Sequence, residues 1–336
     1  MNATAARHET VLSVDTLRLD LLGSPGQPGL VEDVSFQVRA GETVALIGES
    51  GCGKSITSLA VLDLLPPQVV VASGTISVAG EDVTAATARR MDALRGSVVG
   101  SVFQDPMSSL DPTMTVGAQI AESRRLHLRE PRKVALERAV ELLELVGIPN
   151  PRARAAAYPY ELSGGMQQRA LIAAAIACEP RLLIADEPTT ALDVTVQAEI
   201  LELLADLQQR TGMGMLLVTH DLGVVAGIAD RVVVMYAGQT VEQAPTEELF
   251  ANPAHPYTRA LLSSVPQAGR RLTALPIIPG RVPPAGAFPA GCRFHDRCAF
   301  AEARCLDGEI PVAAVRDDHD SRCLRVDAVT RLEMSS

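Results

Sequence analysis

The sequence predicts an α/β fold built on a mostly parallel sheet with helices on both faces. Several short runs are too continuously apolar for strands with one wet face. Longer segments with helical spacing separate them, and the two kinds alternate along the chain. A length of 336 residues suggests about two domains, or one large domain with an appendage.

In chain order, Val34–Val38 alternates, with Phe36 facing the core. Thr43–Gly48 is a buried strand ending in glycine, and a helix follows Ser55. Arg132–Val146 carries Leu136, Ala139, Val140, Leu143 and Val146 at helical spacing, and Gly147 with Pro149 stops it. Leu182–Asp186 is a second buried strand. Thr195–Gln209 is a helix with Val196, Ile200, Leu203, Leu204 and Leu207 on one face, followed by strands at Met215–Thr219 and Arg231–Met235. From Asn252 onward proline is dense and no long periodic segment appears. That sets a boundary near residue 250 and leaves residues 251–336 as a small module needing a staple.

Apolar residues make up 47% of the chain but only ten are aromatic, so aliphatic side chains must fill the core. The net charge of −10 argues against a general nucleic-acid binder and against docking to anionic lipid by charge alone. No apolar segment has the length of a signal peptide core or a membrane span, so a soluble, cytosolic chain is expected. Cys52 and Cys178 stand alone, while Cys292, Cys298, Cys305 and Cys323 crowd the last 45 residues. In a cytosolic chain such a cluster suggests metal binding rather than disulfides.

Two motifs carry chemistry. Gly48-Glu49-Ser50-Gly51-Cys52-Gly53-Lys54-Ser55, running on into Ile56, matches G-x-x-x-x-G-K-[ST] between a strand and a helix. Its glycines let backbone N–H groups turn toward phosphate oxygens at the positive end of the helix. Lys54 supplies a charge to the β/γ-phosphates, and the Ser55 hydroxyl can ligate Mg²⁺. At the end of Leu182–Asp186 stand two carboxylates. Asp186 is placed to hold the Mg²⁺ shell, and Glu187 to act as general base on the attacking water.

Leu162-Ser163-Gly164-Gly165-Met166-Gln167-Gln168-Arg169 resembles the signature motif of ABC-type ATPases. The resemblance implies a P-loop ABC ATPase cassette over residues 1–250, with a RecA-like parallel-sheet core and a helical subdomain at about 85–178. It implies ATP and Mg²⁺ as cofactors and a head-to-tail dimer in which each signature closes on the partner's ATP. Gln104 is similar to the residue that contacts Mg²⁺ and senses the membrane partner. Ala191-Leu192-Asp193 resembles the loop that crosses the dimer interface, and His220 resembles the histidine that contacts the γ-phosphate. Ser163, Gly164, Gly165, Gln167 and Asp193 thereby join the phosphate loop as nucleotide-binding residues. The family's adenine-stacking aromatic is absent between Val11 and Ser35, which leaves an aliphatic contact from around Leu21 or Leu30.

Finer matches resemble the dipeptide/oligopeptide importer ATPases: Phe103–Pro112, Tyr158–Leu162, Ala191–Gln197 and Asn252–Leu262. Importers of nickel or another small solute share this architecture and are the alternative; a soluble, non-transport ABC ATPase fits less well. The implied partners are two permease subunits, a second ABC ATPase and an extracytoplasmic solute-binding protein, with no nucleic acid, at the cytoplasmic face of the plasma membrane. Residues Ser108–Thr115 are expected to wall the permease-docking groove. The four tail cysteines are separated by five, six and seventeen residues. Four thiolates can hold one tetrahedral zinc or a [4Fe–4S] cube, and structural zinc sites usually pair cysteines two to four residues apart. Spacing therefore favours the cluster, and the resemblance points the same way.

Overall fold

The computed structural model describes residues 9–23, 29–104, 109–190, 192–264 and 278–331. Its first elements are β1 (Thr10–Leu21), β2 (Val31–Arg39), β3 (Thr43–Ile47), α1 (Lys54–Val61), β4 (Val69–Val78), β5 (Glu81–Asp82), α2 (Ala88–Leu94) and β6 (Val99–Val102). A helical stretch follows: α3 (Val116–His127), α4 (Arg132–Leu145), α5 (Pro151–Ala155) and α6 (Gly164–Ala175). Then come β7 (Leu182–Asp186), α7 (Val194–Thr211), β8 (Gly214–Thr219), α8 (Leu222–Ile228), β9 (Arg231–Tyr236) and β10 (Gln239–Pro245). The chain closes with α9 (Thr246–Ala251), α10 (Pro256–Ser263), β11 (Ala313–Arg316), β12 (His319–Ser321) and α11 (Val326–Arg331).

The chain divides into two compact units. One comprises Met1–Leu12, Gln37–Thr43 and Ser77–Val218; the other comprises Ser13–Phe36, Val44–Ile76 and Thr219–Ser336.

In the first unit β6, β7 and β8 lie parallel, with Val99 opposite Leu182 and Asp186 opposite Val218. Every residue of β7 and β8 is buried, which is why neither shows polar alternation. The helix expected at 132–146 forms as α4, packs on α3, and ends where Gly147 takes a left-handed φ of 76°. The helix expected at 195–209 is α7, started by Asp193, whose carboxylate accepts from the N–H groups of Thr195 and Val196.

In the second unit β3 runs parallel to β9, while β9, β10, β12 and β11 pair antiparallel in that order. Its core gathers Ile47, Val232, Val234, Tyr236, Tyr257 and Phe294. Tyr236, Tyr257 and Phe294 form an aromatic cluster with ring centroids 4.7 to 5.4 Å apart.

The division expected at residue 250 does not follow the compact units. β12 pairs with β10, placing Ser321 opposite Glu242 and Asp320 opposite Gln243. The buried Arg322 donates to Thr240 O and Ile310 O and pairs with Asp33. Proline removes the periodic signal of the tail, and buried arginines, polar in sequence, tie its described parts to the strand before it.

Candidate functional site

Two features shape the phosphate loop. Gly48 has a φ of 152°, and a Cβ there would fall 2.2 Å from Met235 O, so only glycine lets the strand turn at this point. Gly53 caps α1 with a φ of 107°. Lys54 is buried and folds back over the loop, its Nζ donating to Gly48 O at 2.7 Å and Glu49 O at 3.2 Å. A cation already held on oxygen acceptors inside a glycine turn is arranged to exchange them for phosphate oxygens. Ser55 is exposed at the first turn of α1, where a hydroxyl can reach a metal ion, and Ile56 follows half-buried. Cys52 is fully buried, and burial pushes its thiol up, so it stays neutral.

Glu49, expected among the nucleotide ligands, contacts two residues of the C-terminal module. Its N–H donates to the Tyr257 hydroxyl oxygen at 2.8 Å, and its carboxylate lies 3.1 Å from Arg297. Both groups are turned to the tail of the second unit. His220, also in this unit, is exposed just past β8. Leu21 is 42% exposed, offering apolar surface, and Leu30 is half-buried.

The first unit brings Gln104 to Glu187: the Gln104 side-chain amide donates to Glu187 Oε2 at 2.9 Å. Thr190 Oγ1 donates to the same oxygen at 2.9 Å. Glu187 takes a left-handed φ of 47°, which swings its side chain out of the strand line set by β7, and its N–H donates to Val218 O. Asp186, at the end of β7, is buried. The oxygen donors of this unit, Gln104 and Asp186, are of the kind that suits a hard divalent cation.

The signature also lies in the first unit. Ser163 caps α6, accepting from the Met166 N–H, and Ser163 and Gly164 are exposed. A Cβ on Gly165 would fall 2.9 Å from Val196 of α7, so this glycine permits close helix packing. Gln167 is buried, and its amide donates to Pro159 O at 2.9 Å and Leu162 O at 3.3 Å, so it braces the turn before the signature. Asp193 is exposed, with its carboxylate engaged at the start of its own helix. Gln168, which carried no motif role, donates to Pro188 O at 2.6 Å and links the signature helix to the turn that holds Glu187.

Ala191 and residues Asp105–Ser108 lie outside the described residues. Of the expected groove wall, Asp111 is pinned by Gln119, which accepts its N–H and donates to its carbonyl, both at 2.9 Å.

Cys292, Cys298, Cys305 and Cys323 line one small cavity together with His255 and Phe294. Backbone N–H groups of Phe300 and Arg325 point at the sulfurs of Cys298 and Cys323. Burial pushes the Cys292 thiol up to about 11 and the Cys323 thiol up to about 12, with the neighbouring cysteines adding to the rise. Among the described residues no group of three or more His, Cys, Asp or Glu side chains is arranged to hold a metal ion. The expected metal ligands thus share a cavity without forming a closed site.

Residues 31–190 match the family model described as ABC transporter, and residues 241–305 match oligopeptide/dipeptide transporter, C-terminal region. A relative from Brucella abortus (strain 2308), named for peptide import and ATP binding, is 50% identical over 94% of this chain and 97% of its own. A second, from Sinorhizobium fredii and named for a peptide ABC transporter's ATP-binding protein, is 47% identical over 96% of this chain and 97% of its own. Among solved structures, cbiO1 from Clostridium perfringens, part of the ABC transporter complex cbiONQ, superposes with a TM-score of 0.63 at 27% identity, covering 73% of this chain and 92% of its own. The dimeric ATP-binding cassette MJ0796, bound to ADP and phosphate, shares the fold at a TM-score of 0.62 and 24% identity, covering 70% of this chain and 98% of its own. A phosphate loop, a buried strand ending in two carboxylates and a capped signature helix, with relatives matching nearly end to end, place the chain in the family of ABC transporter ATP-binding proteins.

Proposed function

We propose that the chain is the ATP-hydrolysing subunit of a peptide importer, seated at the cytoplasmic face of the membrane against two permeases and paired with a second ATPase. Solute would reach the permeases from an extracytoplasmic binding protein. The Gln104–Glu187 hydrogen bond carries this proposal, because it joins the residue expected to sense the membrane partner to the carboxylate expected to do the chemistry. The match of residues 241–305 to the oligopeptide/dipeptide C-terminal region supports peptide as the class of solute.

Glu187 accepts a proton from water as the water oxygen bonds to the γ-phosphorus. The bond from that phosphorus to the bridging oxygen breaks, and ADP leaves with the electron pair. Lys54 exchanges its loop carbonyls for β/γ oxygens, and His220 contacts the γ-phosphate. Ser163, Gly164 and Gly165 present a helix N-terminus to nucleotide held by the partner ATPase. Ser55, Gln104 and Asp186 would hold Mg²⁺, which neutralises charge on the phosphate oxygens.

The tail cysteines are proposed to hold a [4Fe–4S] cluster. Four thiols share a cavity that is mostly apolar, and N–H groups aimed at two of the sulfurs favour their thiolate forms. A single zinc, with bonds of about 2.3 Å, needs four sulfurs in one tight tetrahedron, whereas a cube carries each thiolate on a different iron.

Glu187→Gln is the test of the ATPase proposal. The variant is expected to bind ATP with unchanged affinity and to lose at least about a hundredfold in turnover, since the water loses its base. Hydrolysis near the parent rate would remove Glu187 from the role.

A further inference from the structure

The phosphate loop is gripped from outside by two residues of the C-terminal module. Tyr257 lies 208 positions away in sequence, is fully buried, and accepts the Glu49 N–H at 2.8 Å. Arg297, 248 positions away, meets the Glu49 carboxylate at 3.1 Å. Arg297 is held in turn by Pro279 O at 2.7 Å and the Tyr236 hydroxyl at 3.3 Å, and it lies over the Tyr236 and Phe294 rings. Both gripping residues adjoin the cysteine cavity: Pro256 precedes Tyr257, Cys298 follows Arg297, and both line it. Phe294, another lining residue, packs edge-on against Tyr236 at 5.2 Å.

We propose that Tyr257 and Arg297 are positioning residues that hold the phosphate loop in its nucleotide-admitting shape, and that the state of the cysteine cavity reaches nucleotide affinity through them. This rests on the proposed nucleotide site. Glu49 directly follows Gly48, the residue at which the strand turns. Fixing its N–H and carboxylate from outside sets the direction in which the next N–H groups point. Apolar packing of the tail would hold the fold together without engaging both polar groups of one loop residue. The geometry therefore assigns the two contacts to the loop's shape.

The experiment uses the full chain, with Tyr257→Phe and Arg297→Gln measured singly and together. Binding of ATP is followed by equilibrium fluorescence of a labelled analogue, and KM and kcat are measured alongside thermal melting. Each single variant is expected to weaken ATP binding and raise KM about fivefold, as loss of one buried hydrogen bond would, with kcat at saturation held. Arg297→Lys, which keeps the charge, should recover part of the loss. Tyr257→Phe removes only an oxygen from an intact ring, so an unchanged melting temperature with weakened binding supports the assignment, and unchanged binding in both variants overturns it. Cys298→Ser should weaken ATP binding in the parent but add nothing in the Tyr257→Phe/Arg297→Gln background. Additive losses would overturn the transmission. Lys54→Ala separates the two levels: if it binds ATP like the parent, the nucleotide site itself falls. If it loses ATP while the tail variants do not, this inference alone falls.

Discussion

Thr190 and Gln104 place two donors on a single oxygen of Glu187, and that residue sits in a backbone region that L side chains rarely adopt. Such a conformation costs on the order of 1 kcal/mol or more and persists where neighbours hold it. Thr190→Val keeps the shape and removes the donor. It is expected to lower kcat about tenfold with ATP affinity unchanged, and Thr190→Ser should restore the rate. An unaltered kcat in the valine variant would show that Gln104 alone aligns the carboxylate. At this scale Lys54, Gln104, Asp186 and Glu187 can be picked out of the sequence as candidates, because fixed spacing beside a strand or helix end marks them. Thr190 and Gln168 go unseen because their partners are a side-chain oxygen and a carbonyl fixed only by tertiary packing.

The pairing of β12 with β10 rests on a buried charge pair. His319 Nε2 lies 2.8 Å from Glu242 Oε1, and both residues are buried. The Glu242 carboxylate also accepts the N–H groups of Ala254 and His255, and Glu248, itself paired with Arg316, faces the other ring nitrogen at 3.6 Å. Burial by itself would lower the His319 pKa, but the Glu242 hydrogen bond and the two carboxylate charges outweigh it and hold it above 6.5. A raised folded-state pKa contributes stability that is fully present below the unfolded value and is lost as pH rises through the folded one. The melting temperature is therefore expected to fall between slightly acidic and alkaline pH, and His319→Gln should flatten that dependence. An equal slope in the variant would assign it to other groups. His255 behaves oppositely: burial lowers it to about 4, so it stays neutral and accepts the Tyr257 N–H through Nδ1. The buried parallel strands are legible in sequence as unbroken apolar runs, whereas β10 and β12 are not. Gln239–Pro245 and His319–Ser321 contain mostly polar residues, and Glu242 and His319 are interior because they satisfy each other, with two backbone N–H groups completing the partners of the carboxylate.

At the scale of the whole molecule, the tail gathers four of the six cysteines. Protein purified without air is expected to be brown and to carry about four irons per chain, and Cys298→Ser should bleach it and loosen residues 278–331 to protease. A colourless protein with one zinc per chain would replace the cluster with a single ion. Residues 278–331 are in any case more than a holder for cysteines, because β12 lies along the outer side of β10 and the short β11 lies along β12. An uncovered strand offers its free N–H and C=O groups to any other extended chain, including a second copy of itself. Here the outermost strand is only four residues long and carries Arg316, a charge that discourages such pairing. Ending the chain near residue 250, where composition invites a cut, would strip that cover from Glu242 and Gln243 and expose the middle of β10. The product to expect is an ATPase that self-associates through this edge, which size-exclusion chromatography of the truncated chain would detect.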